Sequence, residues 1–223
     1  MKKKNLALFD LDDTLFDGDT EGEWVKYMDQ AGLIQDPEFF NEMESFGKSY
    51  RQGDLNVDEY SEFLLSPLVG KNLKELEDKI DIFTSDVIDR LTDELTEELL
   101  LKHRDDTKIL TSGSLTFLVK VIGQKMGIET CFGTDPEYKD NIFTGKVEGS
   151  PNFSEEKVRR IKIWMQSNHF EKIFAYSDSI HDLPLLEFSD IPSAISPDKK
   201  LLKVAEERKW MVEGRRNTTR SLP

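Results

Sequence analysis

Asp10, Asp12, Asp13 and Thr14 crowd together directly after the apolar run Leu6-Ala7-Leu8-Phe9. A run of strand length that ends in charge predicts a buried strand delivering carboxylates to the edge of a sheet, where ligands of α/β folds bind. Asp10 and Asp12 lie two residues apart, on one side of a strand, and buried carboxylates so placed repel unless a cation lies between them. Oxygen-only ligands favour a hard divalent ion, Mg²⁺ above all. The Asp-Asp-Thr string alone would equally suit a strand running into a polar turn.

Three further segments carry candidate chemistry. Leu110-Thr111-Ser112-Gly113-Ser114 predicts a strand ending in hydroxyls and glycine before a helix, so that Ser112 and the Gly113 N–H offer an anion site at a helix N-terminus. Ordinary loops and N-caps use the same residues. Lys157 falls early in a helix opening near Ser154, where a cation opposes the dipole; a bound anion or an acidic partner accounts for it, as does surface pairing with Glu155 or Glu156. In Ala175-Tyr176-Ser177-Asp178-Ser179-Ile180-His181-Asp182-Leu183-Pro184, a strand again delivers a carboxylate, Asp178, and Asp182 follows one turn on at a helix start. His181 reads more readily as a loop side chain than as a ligand or acid.

These residues need a scaffold. Strand-like runs recur at Leu6–Phe9, Lys108–Thr111, Ile173–Tyr176 and Ser193–Ile195, with a weaker one at Cys131–Phe132, and helical patterns run over Leu115–Met126, Glu155–Gln166 and Leu201–Arg208. Strands alternating with helices predict an α/β fold, a parallel sheet covered on both faces, with its chemistry at the carboxyl edge. From about Thr20 to about Lys102 the pattern is helical only, which predicts an inserted helical cap. The expected division is a catalytic core of residues 1–19 and 103–213, a cap of 20–102 and a flexible tail of 214–223. Tyr138–Gly149 reads as a β-hairpin, and Asp93-Glu94 with Glu97-Glu98 as a solvated helix face.

Composition narrows the partners. A chain of 223 residues with 37% hydrophobic and 33% charged residues can bury a large core plus an inserted unit. A formal charge of −14 argues against nucleic acid or an anionic membrane as partner, because neutralising phosphates needs concentrated Lys and Arg. The single cysteine, Cys131, suits a reducing compartment, and neither a membrane span nor a signal peptide is legible, so a cytoplasmic protein is expected. Oligomeric state is not legible.

Asp10-Leu11-Asp12-Asp13-Thr14, then Ser112-Gly113, Lys157 and Asp178-Ser179-Ile180-His181-Asp182 resemble, in order, the four motifs of the haloacid dehalogenase superfamily. The resemblance runs from about residue 5 to about residue 210. Gly53-Asp54-Leu55-Asn56, Gly133-Thr134 and Asp182-Leu183-Pro184-Leu185-Leu186 resemble its phosphoserine-phosphatase-like branch, with a Rossmann-like core and a helical cap between the first and second motifs. What the resemblance implies is a Mg²⁺-dependent phosphomonoesterase acting on a small phosphorylated metabolite. Asp10 would be the nucleophile that becomes an aspartyl phosphate, and Asp12 the acid and then base. The Asp10 carboxylate, the Asp12 main-chain carbonyl and Asp178 would hold the metal, with Asp182 behind them. Ser112, Gly113 and Lys157 would hold the phosphoryl oxygens. Where the branch carries a carboxylate-gripping arginine in its cap, this chain aligns Glu62, and where it senses an amino group with glutamate, this chain offers Asp19. An amino alcohol phosphate is therefore expected ahead of phosphoserine, since carboxylates repel. A non-catalytic phosphate-binding protein on the same fold is the alternative from another class.

Overall fold

The computed structural model describes residues 4–166 and 168–215. Its centre is β1 (Leu6–Phe9), four consecutive buried residues without polar alternation, as a strand covered on both faces requires. To one side lie β2 (Thr107–Leu115) and β3 (Thr130–Thr134); to the other β6 (Ile173–Ser177), β7 (Ile191–Ile195) and β8 (Met211–Glu213). The order is β3-β2-β1-β6-β7-β8, parallel throughout. Because the chain builds outward in opposite directions from β1, a crevice opens at its carboxyl end, and Asp10 follows there directly. Helices α6 (Thr116–Lys125), α7 (Glu155–Met165), α8 (Leu183–Phe188) and α9 (Lys199–Arg208) complete the crossovers.

Between β1 and β2 the described chain is helical: α1 (Thr20–Gln30), α2 (Phe39–Gln52), α3 (Val57–Leu65), α4 (Leu73–Leu91) and α5 (Glu94–Lys102). The boundaries have local causes. Asp19, Asn56, Asn72 and Asp93 cap the starts of α1, α3, α4 and α5 through side-chain oxygens, and Gly53 ends α2 with φ +86°. Trp24 packs against Phe83 of α4 (5.0 Å between centroids) and Phe117 of α6 (5.9 Å), so one aromatic cluster ties these helices to the core.

Two segments depart from the sequence expectations, and the expected hairpin forms with a contact the sequence does not show. The hairpin is β4 (Pro136–Lys139) and β5 (Ile142–Val147), turning on Asp140 and Asn141 with positive φ. Its β5 bonds to the loop ahead of α4 (Gly70 N–H to Phe143 carbonyl, 3.0 Å; Phe143 N–H to Lys71 carbonyl, 3.0 Å), so a piece assigned to the core is stitched to the helical insert. Asp93 is no solvated acid: it caps α5 and pairs with Arg215. Arg215, placed in the expected frayed tail, is buried, donates to the Thr14 carbonyl and also faces Asp17 at 3.9 Å. A buried charge persists when paired, and this one joins the chain leading into the insert to the start of its last helix, α5. The remainder of the tail lies outside the described residues.

Candidate active site

The carboxyl ends of β1, β2 and β6 meet beneath α1, α2 and α3 in a cleft of about 370 Å³. The fold brings into it Asp10, Asp12, Asp19, Ser112, Gly113, Lys157, Asp178 and Asp182. Glu62 is exposed and is not among the lining residues; the α3 residues that face the cleft are Val57, Tyr60 and Ser61. The place expected for Glu62 thus belongs to its neighbours. A larger hollow of about 770 Å³, between α4, α6 and the hairpin, contains none of the motif residues.

Lys157, from the first turn of α7, is buried with its Nζ 2.7 Å from Asp10 Oδ1 and 2.7 Å from Asp182 Oδ2. It is a bridge between acids, and the surface pairing with Glu155 or Glu156 is not its role. Ser177 also donates to Asp182 (2.8 Å), which fixes that carboxylate as the far anchor of the lysine. Burial works to lower the Lys157 pKa, but Asp10 and Asp182 outweigh it and raise the value above the usual lysine range. Burial pushes Asp10 up to about 6, with Lys157 pulling it down and Asp182 adding to the rise.

Asp12 sits differently. Its Oδ1 accepts from the Thr20 N–H (2.6 Å) and its Oδ2 from the hydroxyls of Ser112 (3.3 Å) and Ser114 (3.1 Å), with no cation on either oxygen among the described ion pairs. Burial, then Asp19 and Asp10, push its pKa to about 7. Asp178 accepts from Thr14 Oγ1 (3.2 Å), and burial followed by Asp10, Asp13 and Asp182 raises it well above the ordinary carboxylate range.

Ser112 and Gly113 do not sit on the first turn of a helix. Strand β2 continues past them through an irregularity to Leu115, and α6 starts at Thr116. What holds this strand end is Asn152, a residue with no sequence signal, whose buried amide donates to the Ser112 carbonyl (2.9 Å), Thr111 Oγ1 (3.0 Å) and the Phe132 carbonyl (3.2 Å). Thr134 Oγ1 adds a bond to the Gly113 carbonyl (2.6 Å). With its carbonyls tied back, the strand end is rigid, and a side chain beginning at Gly113 would meet nothing closer than Phe153 at 3.9 Å, so its backbone is open to a ligand.

Helices α1 to α3 supply the other wall. Met43, Phe46, Gly47 and Tyr50 form one helical face of α2, and Tyr50 reaches the core, its hydroxyl 3.4 Å from Ser179 and its ring 5.1 Å from His181. His181 also packs on Phe153 (4.9 Å), and burial lowers its pKa. Asp19 spends its Oδ1 on capping α1, accepting from the N–H groups of Glu21 (3.0 Å) and Gly22 (3.1 Å). Glu21, which no motif singled out, enters the cleft and accepts from the Tyr60 hydroxyl (3.0 Å); burial, then Asp19 and Asp12, push it up to about 8.

Seven carboxylates line the cleft (Asp10, Asp12, Asp13, Asp19, Glu21, Asp178 and Asp182) against two full cations, Arg51 and Lys157. A phosphate dianion could not enter so negative a place without further positive charge. Among the described residues no three His, Cys, Asp or Glu side chains form a ready-made metal cage. Mg²⁺ needs none, because it keeps waters and takes substrate phosphate oxygens, asking the protein for one or two carboxylates. The raised carboxyls of Asp10 and Asp178 fit that ion by charge and by donor type.

The comparisons with known proteins agree with this geometry. A family model for haloacid dehalogenase-like hydrolases matches residues 7–187. A histidinol-phosphatase of Neisseria meningitidis is 32% identical over 218 residues, covering 94% of this chain and 98% of that protein. A phosphoserine phosphatase of Methanocaldococcus jannaschii is 27% identical over 207 residues, 91% of this chain and 90% of that one. Among solved structures, a Bordetella pertussis protein of unknown function superimposes with a TM-score of 0.86 at 31% identity, covering 95% of this chain and 99% of that one. A substrate-bound phosphoserine phosphatase gives 0.66 at 24% identity and shares the fold, covering 97% and 96%.

Proposed function

The chain belongs to the haloacid dehalogenase-like hydrolases, and from that premise we propose that it is a cytoplasmic, Mg²⁺-dependent phosphomonoesterase working through an aspartyl phosphate. The observation that carries the proposal is the contrast between two neighbouring carboxyls. Asp10 lies 2.7 Å from a lysine, whereas Asp12 sees only neutral donors and is poised at about 7. Two carboxyls in one site with different surroundings divide into nucleophile and proton carrier.

In this reading the helices of residues 20–102 cap the core, and Ser112, the Gly113 N–H and Lys157 hold the phosphoryl oxygens. An Asp10 oxygen attacks phosphorus, the bond to the leaving oxygen breaks, and Asp12 delivers its proton to that oxygen. Asp12, now ionised, takes a proton from water as the water attacks the phosphorus of the aspartyl phosphate; the bond to Asp10 breaks and inorganic phosphate leaves. A carboxyl titrating near 7 suits both halves, because each form is populated at neutral pH. Asp10, the Asp12 main-chain carbonyl and Asp178 would hold Mg²⁺, which supplies positive charge to the phosphoryl group. Asp182 keeps Lys157 aimed at Asp10.

For substrate we propose an amino alcohol phosphate; a relative at 32% identity carries the name histidinol-phosphatase. Phosphoserine is the second reading, favoured by Arg51, a cation at the rim whose guanidinium lies back along α2 beside Gly47. The test is phosphate release from a panel of monoesters in Mg²⁺ and in chelator. Release that stops in chelator is expected; no release from any ester, or release indifferent to chelator, sinks the proposal.

A further inference from the structure

We infer that Glu21, held by Tyr60, selects the leaving group, and that the ester this cleft prefers carries an organic cation on that leaving group. The inference deepens the phosphomonoesterase reading and rests on it. The branch-like alignment offers Asp19 for a cation, but its Oδ1 is held by two backbone N–H groups at the start of α1. Glu21 is differently placed. Its Oε2 takes one neutral donor, Tyr60, and none of the ion pairs among the described residues includes it. Burial, then the negative charges of Asp19 and Asp12, push its pKa up to about 8. Such a group becomes a carboxylate when a cation arrives beside it.

Glu21 and Asp12 line the same cleft. Ser114, which lines it too, donates its hydroxyl to Asp12 Oδ2 (3.1 Å), and Asp12 is near enough to Glu21 to add to the rise in its pKa. Asp12 is the group that protonates the leaving oxygen, so a cation paired with Glu21 lies on the leaving group. A carboxylate on the same group would face Asp12, Asp19 and Glu21 together. The aromatic surroundings suit a cation, flat or tetrahedral: the Tyr60 ring packs on Phe46 (5.4 Å), and Tyr50, His181 and Phe153 continue the wall.

The experiment compares matched esters in Mg²⁺. 2-Aminoethyl phosphate is set against propyl phosphate, and an imidazolylethyl phosphate against phenethyl phosphate; the two pairs distinguish an ammonium from an imidazolium. In the parent chain the cationic member of at least one pair should be favoured roughly 10- to 100-fold in kcat/KM, mostly through KM, as for a hydrogen bond to a charged group. Glu21→Gln, which keeps the volume and an acceptor for Tyr60, should lower that preference at least tenfold, and Glu21→Asp should retain part of it. Tyr60→Phe, which removes only the hydroxyl that holds Glu21, should reduce the preference by a smaller factor and guards against a folding defect in the Glu21 variants. Equal handling of both members of both pairs by the parent, or an undiminished preference in Glu21→Gln, overturns the inference and leaves the phosphatase reading standing. If no ester is hydrolysed, including 4-nitrophenyl phosphate, the phosphatase reading falls and this inference falls with it.

Discussion

On the core side of the cleft, Asp10, Lys157, Asp182 and Ser177 are buried and joined by contacts of 2.7–2.8 Å, and Asn152 braces the neighbouring strand end through three bonds. On the helical side, Arg51 is exposed, Tyr50 meets the core through a long 3.4 Å contact to Ser179 and a ring contact with His181, and apolar and aromatic side chains (Met43, Phe46, Tyr50, Leu55, Val57 and Tyr60) make most of the wall. The first wall is built to hold one geometry, which a reaction at phosphorus demands. The second is built to accept a shape. On the proposed function, chemistry and selectivity are carried by different elements, and changes on the two sides should have different signatures.

The sharpest break between the walls is expected at Asp10. Asp10→Asn keeps the volume and a partner for Lys157 but removes the proposed nucleophile, so turnover of every ester should fall by roughly three decades or more, irrespective of leaving group. Steady-state rates on a cationic and a neutral ester check this. A loss confined to one ester would move Asp10 from chemistry to selection and erase the contrast.

Next in size is Asp178→Ala. If its carboxylate holds the metal, the Mg²⁺ concentration for half-maximal activity should rise at least about tenfold, while the ranking of esters stays as in the parent. A Mg²⁺ titration of the two proteins gives the answer, and an unchanged requirement removes Asp178 from the metal set.

A third prediction concerns stability. Asp10 and Asp12 are raised from 3.8 to about 6 and about 7 in the fold. Between about pH 4 and pH 7 the folded chain therefore binds more protons than the unfolded one, and the contribution of this wall to stability falls as pH rises. A divalent cation favours the ionised carboxylates and opposes that fall. Thermal melts should thus show Mg²⁺ stabilising the protein on the order of a few kcal/mol at pH 7.5 and much less at pH 4.5. Equal stabilisation at both values would mean that the ion binds elsewhere.

The two walls also differ in how far the sequence revealed them. Asp10 and Asp178 were legible because a buried strand has one exit and its next residue must stand at the sheet edge. Lys157 and Asp182 could be named from the same motifs, but not the bond between them, which joins segments 25 residues apart. Asn152 acts only through long-range contacts, and a lone Asn carries no signal for that; Thr134 belongs to the Gly133-Thr134 stretch, but its bond to the Gly113 carbonyl joins distant segments and is not legible there. The sequence pattern sets Ser112-Gly113 at a helix start, whereas strand β2 runs on to Leu115 through an irregularity that composition does not encode. Arg215 looked like part of a solvated basic tail, yet Asp17 and Asp93 give it a buried place. In the helical wall, everything depends on rotation about a helix axis, which a one-residue change in alignment alters by roughly 100°.

Glu62 is where that rotation decides the outcome, and it gives the smallest expected effect. Along α3 the residues facing the cleft are Val57, Tyr60 and Ser61, a set spaced by three and four that defines one face. Taking roughly 100° per residue, Glu62 points well off the middle of that face, in accord with its exposure to solvent. An arginine there would stand in water, where a charge is screened and contributes little to a ligand in the cleft. Glu62→Arg should therefore leave the ratio of phosphoserine to 2-aminoethyl phosphate turnover within a factor of about two or three of the parent. The alignment that equates Glu62 with a carboxylate-gripping arginine expects that ratio to rise strongly. The same pair of rate measurements on Glu62→Arg and Glu21→Gln then separates two pictures of the selective wall: one read from sequence spacing along the helix, and one read from which residues the helix turns inward. A large response at Glu62 with none at Glu21 would show that α3 sits rotated when substrate is bound, and would return phosphoserine to first place.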